Sequence, residues 1–259
     1  MEGRDILLYL ALKYNGNWDA MYNAIKQKED LPKNLDIEKI KEDIKCNYVT
    51  LIDSDYPECL KPIYKPPFIL FYYGDLNLIK NYRRNLSVVG TREPSKYGEE
   101  VTKNLVEGVC DHFNIVSGFA NGIDSIAHKT CIENGGKTIA VLGCGIDRCY
   151  PNSNYKIYDE IKNNHLLISE YPCKVDPNKD NFPFRNRLVA AFSKALLVIE
   201  GGIKSGTSIT ANYALNYGRE VLAVPTRIDK DSICNNLIKD GADLIRNKED
   251  ILKYYEYYS

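Results

Sequence analysis

Several signatures of common protein classes are missing from this sequence. The eight cysteines form no CxxC pair, and the three histidines form neither an HxH nor an HxxxH pattern. We therefore expect reduced thiols and no metal site. No run comes near the ~18 consecutive apolar residues of a membrane span, and the first residues carry no signal-peptide cleavage site. These absences predict a cytoplasmic protein without a membrane partner.

Charge of one sign is not in excess either. Lys and Arg number 34 against 35 Asp and Glu, for a net charge of −1, which excludes a protein coated with positive charge. A basic cleft is compatible with this total, because net charge hides how charge is distributed. The 259 residues, 44% of them hydrophobic, are enough for one large domain or for a large and a small one.

The first 46 residues favour a small helical module. Three stretches have helical spacing, and Asp36 is placed to cap the third: DILLYLALKYNG, WDAMYNAIKQK and DIEKIKEDIK. Two strand-like runs follow, YVTLID (48–53) and FILFYYG (68–74), joined by a proline-rich connection that cannot continue a helix. We therefore divide the chain into a helical module at 1–46 and a larger domain, with a C-terminal helix, at 47–259.

From residue 86 onwards, short apolar runs alternate with segments of helical spacing. The runs are LSVVG, NIVSG, KTIAVLG, LLISEY, ALLVIEG and EVLAVP. Strands that are apolar throughout and separated by helices indicate a parallel sheet covered on both faces. The predicted fold class is therefore α/β, with a doubly wound, mostly parallel sheet.

The ends of these strands carry the residues suited to bind a ligand. Parallel strands present their carboxyl ends at one edge of the sheet, where ligands bind. In this sequence that edge has glycines, which let a ligand approach the backbone, together with hydroxyl groups and basic residues. We therefore expect the binding site there.

Standard nucleotide and catalytic motifs are missing at the same edge. GTREPSKYG is not a GxGxxG fingerprint, and GGIKSGT has no lysine after Gly206 to reach nucleotide phosphates. There is no GxSxG elbow, and the histidines have no evident serine or cysteine partner. We therefore expect neither an enzyme nor a bound cofactor.

Two arginines in NFPFRNRLVAAF raise the question of what neutralises them. Arg185 and Arg187 lie where a helix begins, although the positive end of a helix dipole favours anions. An anionic ligand would explain both, but residues two apart do not share a helix face, so their roles can differ. We expect Arg185 to contact phosphate, whereas Arg187 has a structural alternative, which is pairing with Glu170 or Glu200.

The motifs in their order resemble one family. SGFANGIDSIAH, TIAVLGCGIDRCYPNSN, LLISEYP, NFPFRNRLVAAFSKALLVIEGGIKSGTSITANYAL and GREVLAVP follow one another as in the DNA-processing protein A (DprA/Smf) family, over about residues 48–245. The resemblance implies an extended Rossmann fold that commonly dimerises. It also implies a single-stranded DNA-binding function in natural transformation and recombination, in which members protect incoming strands and help load the recombinase RecA.

The family's G-[S/T]-R, FPxRNR and SGT motifs match three of the strand ends. With the neighbouring small and basic residues, they predict DNA contacts at Gly90, Thr91, Arg92, Ser117, Gly118, Asn121, Gly122, Phe182, Pro183, Arg185, Asn186, Arg187, Lys204, Ser205, Gly206 and Thr207. The expected partners are single-stranded DNA, RecA and a second copy of the chain. No catalytic residue, metal or cofactor is expected.

The sequence departs from the family's pattern in places, and two other functions stay open. Thr226 stands where the family's VPG has its glycine, and the chain ends at KYYEYYS, so we expect no C-terminal winged helix. GGIKSGT is similar to the PGGxGTxxE signature of nucleoside-monophosphate phosphoribohydrolases (the LOG group), but Thr210 occupies the position of their catalytic glutamate. The other alternative is a sensor that binds a free nucleotide without chemistry.

Overall fold

One sheet runs through the computed structural model, which describes residues 2–32 and 37–258. In this part of the chain its strands are β1 (Asn47–Thr50), β2 (Ile69–Gly74), β3 (Asn85–Val89), β4 (Asn114–Ser117), β5 (Thr138–Leu142), β6 (Leu166–Ser169), β7 (Ala195–Val198), β8 (Glu220–Ala223) and β9 (Asp243–Leu244). Their order across the sheet is β1-β2-β6-β5-β4-β3-β7-β8-β9. Neighbours from β6 to β9 are parallel, whereas β2 is antiparallel to both β1 and β6.

Helices cover both faces of this sheet. The α-helices are α1 (Gly3–Lys13), α2 (Trp18–Lys26), α3 (Ile37–Asp43), α4 (Lys96–Glu107), α5 (Ile123–Glu133), α6 (Tyr155–Asn164), α7 (Asn181–Ala191), α8 (Gly206–Asn216), α9 (Ile233–Lys239) and α10 (Lys248–Tyr258). Along β7, Leu196 and Val198 belong to the core shared with α7 and α8, whereas Ala195 and Leu197 belong to the core shared with α4 and α5. The strand is apolar throughout because both of its faces are buried.

The N-terminal helices share a core with the sheet. Leu8 of α1 and Met21 of α2 belong to one buried cluster with Phe71 of β2 and Leu142 of β5. The ring of Trp18 also stacks on Phe68, at 5.1 Å between centroids. The division at residue 46 stays a prediction, and in this structure the first two helices pack directly on the larger part.

The doubly wound α/β fold predicted from the sequence is confirmed. Each predicted strand is present, with bounds shifted by up to three residues. The edge strand β9 was not predicted. The third predicted helix is observed from Ile37, and its expected cap, Asp36, lies outside the described residues. In the described ranges no helix is both long and apolar enough to cross a bilayer.

The connections between the strands create a crevice beside β3. The chain passes from β3 to β4, β5 and β6 on one side, and then crosses to β7, β8 and β9 on the other. The loops that follow β3 and its two neighbours therefore leave the sheet in different directions. In open α/β sheets such a switch point at the carboxyl ends of the strands is where ligands bind.

Candidate functional site

A cleft of about 990 Å³ lies at this switch point. The loops after β3, β4, β5, β6 and β7 form its walls, together with the first turns of α7 and α8. It brings together many of the residues predicted from the sequence: Gly90, Thr91, Arg92, Gly118, Phe182, Pro183, Arg185, Asn186, Ser205, Gly206 and Thr207.

The N-termini of α7 and α8 meet at the cleft. Ser205 caps α8, and its hydroxyl accepts a hydrogen bond from the backbone N–H of Ser208 (3.4 Å). Asn186 of α7 donates its side-chain amide to the carbonyl of Gly206 (3.1 Å), which ties the two helix starts together. Helix starts have backbone N–H groups without helical partners and carry partial positive charge, so this end of the cleft favours anions.

Arg92 and Phe182 pair at the rim of the cleft. The guanidinium carbon of Arg92 lies 5.8 Å from the centre of the Phe182 ring, and the ring of Tyr150 lies 5.5 Å from the Phe182 ring, tilted by 30°. Arg92 is exposed, and Tyr150 is 46% exposed. The rim therefore offers a solvated cation beside aromatic surface.

Arg185 forms part of the floor, in a buried and largely satisfied environment. Its Nη1 donates to the carbonyls of Gly118 and Val141, and the carboxylate of Asp124 lies on the same side of the cleft. Burial lowers the pKa of the Arg185 guanidinium and raises that of the Asp124 carboxyl. A Cβ at Gly118 would lie 2.7 Å from Nη2 of Arg185 and 2.8 Å from Oδ2 of Asp124, so glycine is needed there.

Arg187 does not face the cleft. Its side chain is fully buried, and its guanidinium forms a bidentate ion pair with Glu170, with N–O distances of 2.6 and 2.5 Å. The structural alternative foreseen for Arg187 is therefore the one observed. Glu200, the other candidate partner, instead accepts hydrogen bonds from the backbone N–H and the hydroxyl of Ser95, each at 3.0 Å, at the start of α4.

Four further residues predicted to bind DNA also lie outside the cleft lining. Ser117 is buried and donates its hydroxyl to the carbonyl of Val88 (2.6 Å). Asn121 accepts a hydrogen bond from Ser153 (3.0 Å) in an exposed turn. The remaining two are Gly122, which packs at the start of α5 against the loop after β3, and Lys204, which is exposed. Whether any of the predicted residues contacts DNA stays a prediction.

The cleft also contains residues that sequence reasoning missed. Lys179 and Tyr150 line it, and so does Arg148, which pairs with Asp176 at 3.1 Å. Lys179 stands three residues before Phe182 of the FPxRNR motif, and this proximity was the available signal. Its loop has no periodic pattern, so the sequence alone did not indicate the direction of the side chain.

Comparison with known proteins agrees with this architecture. The family model described as DNA recombination-mediator protein A matches residues 47–256. The chain is 40% identical over 211 residues to the DNA processing protein DprA of Streptococcus pneumoniae, covering 80% of this chain and 74% of that protein. It is 39% identical over 210 residues to the Bacillus subtilis DprA, covering 80% and 70%, and 40% identical to the Synechocystis protein Smf, of whose length it spans 53%.

Two solved structures are similar in fold to most of this chain. The X-ray structure of the Streptococcus pneumoniae DprA has a TM-score of 0.80 at 33% identity and covers 96% of this chain and 92% of that one. The DNA processing protein A of Helicobacter pylori, described for its single-stranded DNA binding mode, has a TM-score of 0.75 at 30% identity, with 82% and 98% covered. The chain described here belongs to the DNA recombination-mediator protein A family.

Proposed function

We propose that this chain binds single-stranded DNA in the cleft beside β3 and does no chemistry on it. The observation that carries the proposal is the exposed Arg92 beside the half-buried ring of Phe182, next to two helix N-termini, in a cleft of about 990 Å³. A phosphate needs cations and N–H groups, and an unpaired base needs an aromatic surface. Both kinds of group lie together here.

We assign the phosphate contacts to the exposed cations rather than to the buried arginines. Arg92 and Lys179 are exposed and line the cleft, whereas Arg185 already donates to backbone carbonyls. The backbone at Gly206 and Thr207, in the first turn of α8, adds N–H groups for a phosphate oxygen. We therefore assign the main electrostatic contribution to Arg92 and Lys179, and a supporting role to the start of α8.

A preference for single strands follows from the aromatic part of the cleft. Phe182 and Tyr150 offer ring faces or edges that a splayed base can contact. Bases in a duplex are stacked on one another and cannot reach such a surface without unpairing. The Helicobacter pylori relative, described by its single-stranded DNA binding mode, supports the same choice.

The acidic groups of the cleft give little support to the phosphoribohydrolase alternative. Thr210 stands where the catalytic glutamate is required, and its hydroxyl donates to the carbonyl of Gly206 (3.1 Å). The carboxylates that line the cleft are Asp124, which is buried and accepts a hydrogen bond from the backbone N–H of Ala120 (3.2 Å), and Asp176, which pairs with Arg148. Release of free base from AMP by the purified protein would support that alternative, and competition of AMP with an oligonucleotide would support a nucleotide sensor.

The wider role that we propose is that of a cytoplasmic recombination mediator. Membership of the DNA recombination-mediator protein A family supports it. In this role the chain protects incoming single strands, helps to load RecA onto them and acts as a homodimer. Nuclease digestion of single-stranded DNA with and without the chain tests protection, a pull-down of RecA with and without single-stranded DNA tests the RecA contact, and a mass measurement in solution tests the homodimer.

The cleft is tested by replacing its exposed arginine. We expect Arg92→Ala to weaken binding of a single-stranded oligonucleotide by about 1–3 kcal/mol, because a charge-assisted contact is lost. The slope of log affinity against log salt concentration should also become shallower, by the amount expected when about one phosphate contact is lost. The measurement is fluorescence anisotropy over a series of salt concentrations, with single-stranded DNA, duplex DNA and RNA compared.

Arg83 provides the matched control. It is exposed like Arg92 but precedes β3, so the two arginines lie at opposite ends of one strand. Arg83→Ala should bind like the unmodified protein. Equal binding by both variants, or a preference for duplex DNA, would contradict the proposed site.

A further inference from the structure

A second pocket, of about 680 Å³, lies next to the cleft. Asp176 and Pro183 line both the cleft and this pocket, so the two spaces are adjacent. On its far side the second pocket is bounded by the turn between α1 and α2, and by the connection between β1 and β2. A strand that leaves the cleft over Pro183 would therefore enter this pocket next.

The first turn of α7 lies between the cleft and the second pocket, and it places one aromatic ring in each. Phe182 lines the cleft, and Phe184 lines the second pocket. Residues two apart on a helix point to opposite sides, and Pro183 between them forms the ridge. One short motif thus presents an aromatic ring to each space.

Aromatic side chains dominate the second pocket. Tyr64 is 55% exposed. Trp18 is held in place by stacking on Tyr22 and Phe68, each at 5.1 Å between centroids, and its indole N–H donates to the carbonyl of Pro66 (2.7 Å). The pocket therefore combines the fixed Trp18 ring with the more exposed ring of Tyr64.

The charged residues that line this pocket are Asp19, Lys65, Asp176 and Asp180, so carboxylates outnumber cations. Lys65 pairs with Asp19 at 2.6 Å, and Asp176 pairs with Arg148 at 3.1 Å. The Lys65 ammonium also lies 5.2 Å from the Trp18 ring and 5.5 Å from the Tyr64 ring. A phosphate would find its cation already engaged by a carboxylate, so the pocket suits an uncharged, planar group.

Amide side chains supply hydrogen-bonding groups around the aromatic surface. Asn15 and Asn181 line the pocket, and side-chain amides both donate and accept. Flat aromatic surface together with amides is the combination that contacts an unpaired nucleobase.

We propose that the second pocket receives an unpaired base of the same single strand whose phosphates lie in the cleft, with Tyr64 as the main stacking surface. This inference rests on the proposed function, because it requires a strand in the cleft. Short oligonucleotides occupy the cleft alone, and only longer ones reach over Pro183. The N-terminal helices thus contribute directly to strand binding and lengthen the site.

The single tryptophan of the chain makes occupancy of this pocket measurable. Trp18 is the one tryptophan in the sequence and it lines the pocket, so its emission reports on this place and on no other. The experiment titrates the full chain with oligothymidines of increasing length, and follows both Trp18 emission and the anisotropy of a labelled strand. We expect anisotropy to rise for every length that binds, and Trp18 emission to change only above a threshold length.

Variants of Tyr64 separate stacking from general folding effects. Tyr64→Ala should lower the affinity for strands above the threshold by about 5- to 150-fold, the range for loss of one base–aromatic stack, and leave shorter strands unaffected. Tyr64→Phe keeps the ring and should behave like the unmodified chain. Tyr155→Ala is the matched control, because Tyr155 is 62% exposed and lies outside the lining of both spaces.

The possible outcomes distinguish this inference from the proposed function. Binding seen by anisotropy at all lengths, with unchanged Trp18 emission and no effect of Tyr64→Ala, overturns the second pocket but leaves the cleft intact. Absence of any binding overturns the proposed function itself. A change in Trp18 emission with free thymidine monophosphate but not with long strands would identify a free-nucleotide site and would also overturn the inference.

Discussion

Replacing Arg187 by methionine is the sharpest test of how α7 is built. Arg187 lies in the motif predicted to bind DNA, but its side chain is fully buried and its partner Glu170 is 4% exposed. Nη2 of Arg187 also donates to the carbonyl of Lys65 (2.9 Å), and its guanidinium carbon lies 3.9 Å from the centre of the Phe184 ring. The structure thus predicts a loss of stability rather than a loss of DNA contacts.

The expected magnitude follows from what the substitution leaves behind. Methionine fills much of the space of the arginine, so the cavity contribution is small. Glu170 loses both of its guanidinium hydrogen bonds and stays buried without a countercharge. Breaking a buried pair in this way costs about 3–5 kcal/mol, a large share of the ~5–15 kcal/mol that stabilises a typical domain.

Urea denaturation of three proteins measures this effect: the unmodified chain, Arg187→Met and the double variant Glu170→Leu/Arg187→Met. The single substitution should lower the free energy of unfolding by about 3–5 kcal/mol. The double variant should recover most of the loss, because replacing both charges with apolar groups is close to neutral. Where the single variant is folded, its affinity for short single strands should stay near that of the unmodified chain.

One result would refute this reasoning. If Arg187→Met unfolds at the same urea concentration as the unmodified chain but no longer binds single-stranded DNA, then Arg187 leaves Glu170 in solution and serves as a phosphate contact. A double variant no more stable than the single one would show that the carboxylate is not the source of the cost.

Two further predictions concern backbone conformation and pH. Gly122→Ala should destabilise the chain by clearly more than the ~1 kcal/mol expected for Gly218→Ala. Both glycines have positive φ, +77° and +62°, but a Cβ at Gly122 would lie 2.4 Å from the carbonyl oxygen of Thr91, whereas a Cβ at Gly218 would lie in open space. Equal shifts of the melting temperature in the two variants would contradict this prediction. Burial lowers the pKa of His128 to about 3, and one ring nitrogen bonds Thr138 at 2.7 Å. The unfolded state therefore binds more protons as the pH falls below about 6.5, and stability should drop by up to about 1.4 kcal/mol per pH unit towards about pH 3. His128→Gln should lose that part of the slope, and an unchanged slope would contradict the assignment.

The fold could largely be predicted because its strands are buried on both faces. Continuous apolar runs such as ALLVIEG are unambiguous in a chain that alternates them with helical spacing. The edge strand β9 was missed because it has only two residues, Asp243 and Leu244, and both are exposed. Packing of the first helices on the sheet was also missed, because contacts such as Trp18 with Phe68 join residues distant in sequence.

The candidate site was predictable at the level of the sheet edge but not of each side chain. Parallel strands bring their carboxyl ends together whatever the loops do, so Arg92 and Ser205 share the cleft as expected. Loop conformation then decides which side chains reach it. Lys179 enters the cleft, whereas Lys204 stays outside its lining, and no spacing rule distinguishes the two in sequence.

Helical geometry explains why the aromatic and basic residues of α7 lie on two different sides of the helix. Phe182 and Arg185 are three residues apart and both line the cleft, whereas Phe184 and Arg187 are three apart on the other side, with the guanidinium on the ring. A cation on the inner side is tolerable only with a carboxylate, which Glu170 provides, and Arg185 on the outer side is largely satisfied by backbone carbonyls. Arg187 is therefore engaged by Glu170, whereas a phosphate contact of Arg185, which lines the cleft, stays a prediction. Arg92 lies outside the helix, is exposed and lines the cleft, so we expect Arg92→Ala to weaken binding more than Arg185→Ala.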